Sequence, residues 1–479
     1  MDEKKIRWFT VSMIAFSMVW GFGNVVNNYA QQGLSVVTSW ILIMALYFIP
    51  YALIVGQLGS TFKSNSGGVS SWIQETTNNR RLAYYAAWTY WVVHITYLAQ
   101  KPQSVLIALG WVFKRNGDVA TSMSVQTVAI ISLLIFLVFL FLSTKGLTTL
   151  KVIGSVAGSG MLVMSILFII LAVAIPFMDS SFTAATPQMD QLSTYVPDFN
   201  LSYFATISML VFAVGGAEKI SPYVNSIDRP TKNFPKAMIF MAVMVGLSAV
   251  LGSVAMGLLF NSNRIPEDLM ANGAYSAFQI LGNHFGVGDF FMIVYGFAQA
   301  AVQASALAFS IDAPLKILLS EADPEFVPSW LRKRTSKGTL INGYLLTGVL
   351  VSLIIILPIF GIKNMSELVK WLTNLNSVVM PMRYVWVFFA YMMLNRQYKK
   401  FHSEYKFIKN PKLGFIVGLW CFAFTAFACI LGMIPKADYA ADPSSWIFQL
   451  VSNILTPFVL ILLGMILPMW ARRERRKLS

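Results

Sequence analysis

The sequence has few charged residues, few histidines and almost no cysteine. Asp, Glu, Lys and Arg make up 12% of the 479 residues, whereas a soluble domain carries about 25%, so a soluble protein is excluded. Cys421 and Cys429 fall about 12 Å apart along one predicted helix, too far for a disulfide. The three histidines, His94, His284 and His402, are scattered. We therefore expect no metal site and no cofactor.

Long hydrophobic runs dominate the chain instead. Hydrophobic residues make up 56% of the sequence, and its mean hydropathy is +0.63. Crossing a bilayer takes about 20 apolar residues, and the sequence predicts twelve such spans: 8–32, 35–59, 84–113, 124–143, 150–177, 202–225, 235–260, 286–318, 340–360, 366–394, 413–433 and 446–470. We predict an all-α integral membrane protein, with one transmembrane domain over residues 1–479 and only short polar loops between the spans.

The excess of positive charge follows the predicted topology. The net charge is +15, and with the N-terminus in the cytoplasm 27 of the 36 Lys and Arg fall in cytoplasmic segments and 5 in external ones. This asymmetry is the positive-inside pattern of membrane proteins. It predicts a multi-pass protein of the cell membrane with both termini cytoplasmic. The basic residues are expected to contact anionic lipid and not nucleic acid. No feature of the sequence indicates an oligomeric state.

Two of the predicted spans are interrupted by paired glycines. One reads IAFSMVWGFGNVVNNYA (14–30) and the other ISMLVFAVGGAEKISPYV (207–224). Free backbone groups are costly in hydrocarbon and persist only where they are buried in protein or face a water-filled cavity. Glycines of this kind also serve close helix packing. Two breaks in corresponding spans favour a binding site of a transporter.

The positions of the breaks suggest an internal repeat. They lie in spans 1 and 6, so residues 1–177 and 202–394 would each hold five spans, with helices 11 and 12 (413–470) outside the repeat. An odd number of spans per repeat gives the two halves opposite orientations in the membrane. This is the inverted-repeat arrangement of many secondary transporters.

The two breaks offer complementary charges to a ligand. The second half of span 1 begins near Asn24, where free N–H groups and the helix dipole favour a carboxylate. The first half of span 6 ends with free carbonyls near Val211, Phe212 and Val214, which favour an ammonium group. A site with both features suits a zwitterion, and the sequence therefore predicts an α-amino acid as the substrate.

Charged residues near the breaks are candidates for coupling or gating. Glu218 and Lys219 directly follow the span 6 break, and a carboxylate at membrane depth indicates function. A structural pairing of Glu218 with Lys219 or Lys101 is the alternative. His94, Tyr97 and Lys101 share one face of span 3, where they would line a pathway, although a lone helical His also serves as a packed hydrogen-bonding residue.

Further candidates lie in spans 8 and 10. Span 8 contains Gln299, a candidate for the cavity, and Ser305 and Ser310, hydroxyls placed where a sodium-coupled relative would hold its ion. Such hydroxyls also bond back to their own helix. Span 10 contains Trp371, a candidate gate, and Arg383. Packing is the alternative use of an aromatic side chain there.

Several segments resemble one family of membrane transporters. The segment FAVGGAEKISPYVNSIDRPTKNFPKAMI (212–239) carries a small-residue break, a Glu and a Pro/Arg/Lys loop. GFGNVVNN (21–28), GGVSSWI (67–73) and SIDAPLKILLSEADPEFVPSWL (310–331) add shorter likenesses. Together they resemble the amino acid–polyamine–organocation (APC) transporters, and in particular the glutamate/GABA antiporter branch.

The resemblance implies a leucine-transporter-type fold, a 5+5 inverted repeat with two further helices, and transport by alternating access. It also implies that Gly21, Phe22, Gly23 and Asn24 bind the substrate carboxylate, and that Val211, Phe212 and Val214, beside Gly215, bind its amine. One departure concerns span 5, where Gly158, Ser159 and Gly160 stand in place of the lysine that some proton-coupled relatives have.

The sequence leaves three choices open. A secondary transporter is preferred to a membrane enzyme, because no acid–base or metal cluster is evident. Exchange, including exchange of an amino acid for its decarboxylated amine, competes with proton- or sodium-coupled symport. A neutral substrate is favoured over a dibasic one, because Glu218 is the only acidic residue assigned to the cavity. Lys101 or Lys219 reaching the cavity would instead permit an acidic substrate.

Overall fold

A computed structural model of the chain describes residues 5–65, 68–117, 123–336, 338–356, 365–435, 439–440 and 443–478. Its helices are α1 (Trp8–Val19), α2 (Gly23–Gln32), α3 (Val36–Ile43), α4 (Ile49–Thr61), α5 (Val69–Thr77), α6 (Arg80–Lys114), α7 (Val125–Ser143), α8 (Leu147–Met178), α9 (Leu201–Ala213), α10 (Pro230–Leu259), α11 (Leu269–His284), α12 (Phe290–Leu319), α13 (Ser329–Arg332), α14 (Ile341–Ile356), α15 (Met365–Val379), α16 (Tyr384–Arg396), α17 (Pro411–Gly432), α18 (Pro443–Leu462) and α19 (Ile466–Leu478). Within these ranges the fold is all-helical, as predicted, apart from one isolated bridge between Ile6 and Ile227.

Nine helical stretches of the described chain are long and apolar enough to cross a membrane. They are Trp8–Thr61, Val125–Ser143, Thr149–Met178, Leu201–Ser226, Pro230–Leu259, Phe290–Leu319, Lys370–Arg396, Pro411–Gly432 and Trp446–Lys477. The first stretch covers two predicted spans. Helix α6 has 35 residues but is not among these apolar stretches, and α14 has only 16 residues. The integral membrane class is thereby supported, while the number of twelve spans stays a prediction.

Both predicted helix breaks are present. Trp20, Gly21 and Phe22 separate α1 from α2. Helix α9 ends at Ala213, and the chain resumes as a 3₁₀ helix over Ala217–Ser226. A further irregularity that the sequence does not reveal lies in span 10, where the 3₁₀ turn Met380–Arg383 separates α15 from α16.

The sequence suggests that the polar stretch 261–285 is a simple loop, but the structure has a helix there. The stretch contains the 16-residue helix α11, whose buried face includes Leu269, Phe278 and Leu281. This helix packs against α2 and α12. Its apolar face is too short and too interrupted to register as a membrane span, which explains why hydropathy misses it.

Helices α6, α12, α1 and α8 pack extensively against one another. Helix α6 packs along α12, and α1 packs along α8. The contact of α1 with α8 is close, because a Cβ at Gly158 would overlap the Met13 carbonyl. The outer face of α8 is apolar and exposed at Val156, Val163 and Ile170. This arrangement places polar side chains of α6 at the centre of the molecule and apolar ones of α8 toward lipid.

Candidate functional site

The break in the first span leaves three backbone amides free. The N–H groups of Gly21, Phe22 and Gly23 have no hydrogen-bond acceptor in the described part of the chain. The first turn of a helix cannot satisfy these donors internally, and the positive end of the α2 dipole lies at the same place. Two of the three residues, Gly21 and Gly23, face a cavity. The break therefore presents donors that match a carboxylate.

The break in the sixth span requires both of its glycines. Gly216 has a φ of +120°, which side chains other than glycine rarely adopt. A Cβ at Gly215 would overlap the Tyr384 hydroxyl, and a Cβ at Gly216 would lie 2.9 Å from the Met18 carbonyl oxygen. These glycines therefore permit both the unwinding and close packing, so the two interpretations raised by the sequence apply together.

The side chain of Asn24 joins the two breaks. Its Nδ2 donates to the Ala213 carbonyl at 3.0 Å, where α9 ends, and to the Val19 carbonyl at 3.3 Å, where α1 ends. Two carbonyl groups that the breaks leave without helical partners are thus satisfied by one amide. Asn24 fixes the spacing between the two unwound segments.

A cavity of about 130 Å³ lies between the breaks. Nine of the predicted site residues line it: Gly21, Gly23, Asn24, Phe212, Gly215, Lys219, Tyr97, Lys101 and Gln299. Five others, Phe22, Val211, Val214, Glu218 and His94, are buried beside it without lining it. Trp371 lies away from it, with its ring 6.2 Å from that of Phe448. The structure thus brings together most of the residues selected from sequence.

Three cations and no carboxylate of the described residues line this cavity. The cations are Lys101, Lys219 and Arg383. The two ammonium groups lie over one aromatic ring, with Lys101 Nζ 4.4 Å and Lys219 Nζ 4.6 Å from the centre of the Tyr97 ring. Cation–π attraction stabilises both positions. The cavity therefore has a positive lining.

Each ammonium group keeps donors available to a ligand. Lys101 donates to Gln303 Oε1 at 2.9 Å, and Lys219 donates to Ser310 Oγ at 3.1 Å. An ammonium has three donors, and these are the described hydrogen bonds of the two side chains. An anion entering the cavity would meet oriented donors that need little rearrangement.

Comparison with known proteins identifies the family. The sequence model of the family described as amino acid permease matches residues 6–461. The chain belongs to the amino acid permease family. A relative in Lactococcus lactis subsp. cremoris (strain MG1363), the aspartate/glutamate permease AcaP, is 69% identical over 100% of this chain and 97% of its own.

More distant relatives of the permease include two antiporters of Lactococcus lactis subsp. lactis (strain IL1403). The glutamate/gamma-aminobutyrate antiporter is 24% identical over 96% of this chain and 90% of its own, and the probable agmatine/putrescine antiporter AguD is 24% identical over 74% and 72%. The predicted APC membership is confirmed. The permease is a secondary amino acid transporter of the cell membrane and not an enzyme.

Glu218 of the permease lies behind the cavity in a buried cluster. Its carboxylate accepts hydrogen bonds from the hydroxyls of Tyr51 and Tyr90, the latter at 2.7 Å, and lies 3.1 Å from Arg383 Nε. Lys219 and Lys101, the partners considered from the sequence, make no such ion pair among the described residues. Glu218 therefore neutralises the positive charge of Arg383, which lies in span 10.

His94 holds Arg383 from the other side. Its Nε2 contacts Arg383 Nη1, and its Nδ1 lies 2.6 Å from the Tyr90 carbonyl oxygen. A guanidinium only donates, so Nε2 is the acceptor and Nδ1–H donates to the carbonyl. His94 is thereby a neutral ring that orients Arg383, in line with the packed hydrogen-bonding role considered from the sequence.

The two serine hydroxyls suggested as sodium ligands, on Ser305 and Ser310, have hydrogen-bond partners within the protein. Ser305 Oγ is 3.1 Å from Ser17 Oγ, and Ser310 Oγ accepts from Lys219. The ammonium of Lys219 therefore already provides a positive charge at Ser310.

Some residues of the site escape sequence reasoning. Arg383 carries the detectable signal of a charge inside an apolar span, yet it is assigned no role because its partner is 165 residues away. Tyr51 has no signal, since a tyrosine in an apolar run is usually a packing residue. Only the fold brings Tyr51 to the carboxylate of Glu218.

Proposed function

We propose that the permease transports acidic amino acids, aspartate and glutamate. The observation that carries this proposal is the presence of Lys101, Lys219 and Arg383 around one cavity, with only Arg383 paired to a carboxylate. A substrate with two carboxylates and one ammonium would reduce this excess of positive charge, whereas a neutral zwitterion would leave it unchanged. Burying unpaired charge is costly, which favours the dicarboxylate.

The comparisons support the same substrate class. The relative that is 69% identical bears the name aspartate/glutamate permease. From the sequence, Lys101 or Lys219 reaching the cavity would permit an acidic substrate, and both residues line it. We therefore prefer an acidic substrate to the neutral one favoured by the sequence alone.

Each part of the substrate has a proposed partner. The α-carboxylate would bind the free amides at Gly21 and Gly23, at the N-terminus of α2. The side-chain carboxylate would bind Lys101 and Lys219. The ammonium group would bind near the carbonyl end of α9 at Phe212. Glu218 and His94 would act through Arg383, without touching the substrate.

We further propose that the permease has twelve spans in a leucine-transporter-type 5+5 inverted repeat with two additional helices. Support comes from breaks in the first and sixth spans and from Asn24, which bridges them. The charge distribution supports cytoplasmic termini. In alternating access the two broken helices would move relative to α6 and α12.

Sodium coupling at Ser310 is not part of this proposal. The Lys219 ammonium lies 3.1 Å from Ser310 Oγ and would repel a second cation there. Exchange and proton coupling are both compatible with a site whose positive charge belongs to the protein. We infer that transport does not depend on sodium.

Competition for uptake tests the substrate class. The purified permease is placed in liposomes, and uptake of radiolabelled glutamate is measured with unlabelled aspartate, glutamate, asparagine, glutamine or arginine outside. We expect aspartate and glutamate to compete at least about 10-fold more strongly than the amides, a difference of about 1.4 kcal/mol. Equal competition by glutamine and asparagine would contradict an acidic specificity. Replacing sodium by choline should leave uptake unchanged.

A further inference from the structure

A groove on the surface of α10 lies apart from the substrate cavity. Its volume is about 620 Å³, and it is lined by residues that include Trp8, Lys232, Lys236, Phe240, Val243 and Glu404. It lies toward the N-terminal end of α10. None of its lining residues belongs to the lining of the substrate cavity.

The groove has an uncompensated positive charge. Lys232 and Lys236 are exposed, and within the described ranges neither forms an ion pair. The carboxylate of Glu404 is already engaged, because Lys63 Nζ lies 3.0 Å from its Oε1. Hydrogen bonds from Lys63 and Thr231 hold the pKa of Glu404 below its usual value. The charge on the two groove lysines is therefore free to meet an anion.

Aromatic rings lie beneath Lys236 in the groove. Lys236 Nζ lies 3.9 Å from the centre of the Trp8 ring, and the Trp8 and Phe240 rings pack edge to face at 5.6 Å. Tryptophan is typical of the level of lipid headgroups. A lysine over a tryptophan, above an apolar wall, is the composition expected where headgroups and acyl chains meet.

An exposed aliphatic stripe continues from the groove along α10. Ile239, Val243 and Leu247 recur every four residues with exposed fractions of 45%, 54% and 58%. From Ile239 to Leu247 the helix rises about 12 Å, which lies within the roughly 15 Å of hydrocarbon in one leaflet. The groove and the stripe together therefore have a cationic end at Lys232 and Lys236 and a straight apolar track, formed by Ile239, Val243 and Leu247, along which an acyl chain can lie.

We propose that this groove is a specific site for one anionic phospholipid. The phosphate binds between Lys232 and Lys236, and one acyl chain lies along Ile239, Val243 and Leu247. A free anion would use only the lysines and would leave the apolar track without a role. The shape of the site, with a charged head and an apolar tail in line, therefore favours a lipid.

Lipid-dependent stability tests the site. The full-length permease is purified in detergent and stripped of lipid, and its Tm is measured with phosphatidylglycerol, with phosphatidylcholine of the same chains, or with inorganic phosphate. We expect phosphatidylglycerol to raise Tm by about 3 °C more than phosphatidylcholine. Inorganic phosphate should not reproduce the shift. An equal shift with phosphate would overturn the lipid site in favour of a free anion site.

Matched variants separate this groove from general surface charge. Lys232→Gln with Lys236→Gln should abolish the difference between the two lipids. Lys409→Gln with Lys412→Gln removes the same charge from exposed positions elsewhere and should keep it. The proposal would be refuted if the Tm difference between the two lipids persists in the Lys232/Lys236 variant. It would also be refuted if that difference disappears equally in the Lys232/Lys236 and Lys409/Lys412 variants. If the double variant is aggregated without lipid, Lys236→Gln alone is tested in the same way.

Fluorescence provides a second readout at the groove. Phosphatidylglycerol with brominated acyl chains quenches nearby tryptophans, and Trp8 lies in the groove. We expect Trp8→Phe to reduce the quenching at low lipid concentration, whereas Trp330→Phe, at an exposed tryptophan outside the groove lining, should reduce it less. Equal effects of the two substitutions would contradict the placement of the acyl chain.

Discussion

Arg383 and Glu218 form an ion pair that is shielded from solvent, with 3.1 Å between Nε and Oε1 and exposed side-chain fractions of 1% and 0%. The pair joins the 3₁₀ helix after the second break to the 3₁₀ turn in span 10. Removing one partner of such a pair leaves a buried charge and typically costs about 3–5 kcal/mol. The pair thus connects the irregular segments of spans 6 and 10.

Glu218→Gln should greatly reduce transport while the permease remains folded in detergent. The glutamine amide keeps an acceptor for the Tyr90 hydroxyl, but the substitution removes the negative charge that balances Arg383. The unpaired Arg383 would then hold the substrate too tightly or close the cavity. We expect at least a 10-fold lower uptake rate for glutamate together with a single monodisperse peak on size exclusion. Uptake at the wild-type rate would remove Glu218 from the mechanism.

Lys219→Met should weaken the distinction between glutamate and glutamine. The substitution keeps the apolar part of the side chain and removes the donor to Ser310 and the charge over the Tyr97 ring. We expect the KM for glutamate to rise about 10-fold or more, which corresponds to about 1.4 kcal/mol, with little change in the inhibition constant of glutamine. The measurement is concentration-dependent uptake in proteoliposomes.

Lys370→Met is the matched control for this substitution. Lys370 lies in the helical run of span 10 but is exposed, so its loss should leave the KM for glutamate unchanged. If both variants raise the KM equally, the effect comes from overall charge. The assignment of the side-chain carboxylate to Lys219 would then be wrong.

Gly215→Ala should destabilise the permease, because the added Cβ would overlap the Tyr384 hydroxyl. Overpacking of this kind costs about 1–3 kcal/mol. Gly160→Ala is the control, since its Cβ would meet only Ala298 Cβ at 3.9 Å, and Ala favours the helix. Thermal unfolding in detergent should give a lower Tm for the first variant and an unchanged or higher Tm for the second. A Gly215→Ala variant as stable as the wild type would contradict the close contact.

The sequence predicts the two helix breaks but not the residues that contact Glu218 beside the second break, such as Tyr51 and Arg383. The reason is physical. Glycine pairs in apolar runs and charges at membrane depth are local signals, so Gly215 and Glu218 are found from sequence alone. The partners of Glu218 come from spans 2, 3 and 10, and pairing across such distances leaves no local pattern. Trp371 is a residue that the sequence selects wrongly for the cavity. The sequence indicates how far along span 10 it lies but not which way its helix face is turned, and in the structure its ring packs near Phe448, away from the cavity.

Asp312 holds a second buried polar cluster, near the end of α12. Its carboxylate accepts from the hydroxyls of Tyr223 and Tyr344, and Lys316 Nζ lies 2.9 Å from its Oδ2. Tyr223 belongs to the 3₁₀ helix after the second break, and Tyr344 belongs to α14. Asp312 and Lys316 stand four residues apart on one helix, so the sequence spacing indicates only this local pair. The two tyrosines make Asp312 the point at which three elements are joined.

Asp312→Asn should lower the stability of the permease far more than the same change at a partly exposed acidic residue. The asparagine offers one acceptor oxygen and one NH2 group, so both tyrosine hydroxyls lose a charged acceptor and one of them loses its acceptor altogether. Lys316 also loses its ion pair, and together these changes cost roughly 2–4 kcal/mol. Asp323→Asn is the control, because its pair with Arg80, at 3.5 Å, is partly exposed, with exposed side-chain fractions of 24% for Asp323 and 68% for Arg80, and contributes at most about 1 kcal/mol. The free energy of unfolding is compared for both variants in the same detergent. Equal losses would show that the tyrosine contacts contribute nothing beyond a surface ion pair.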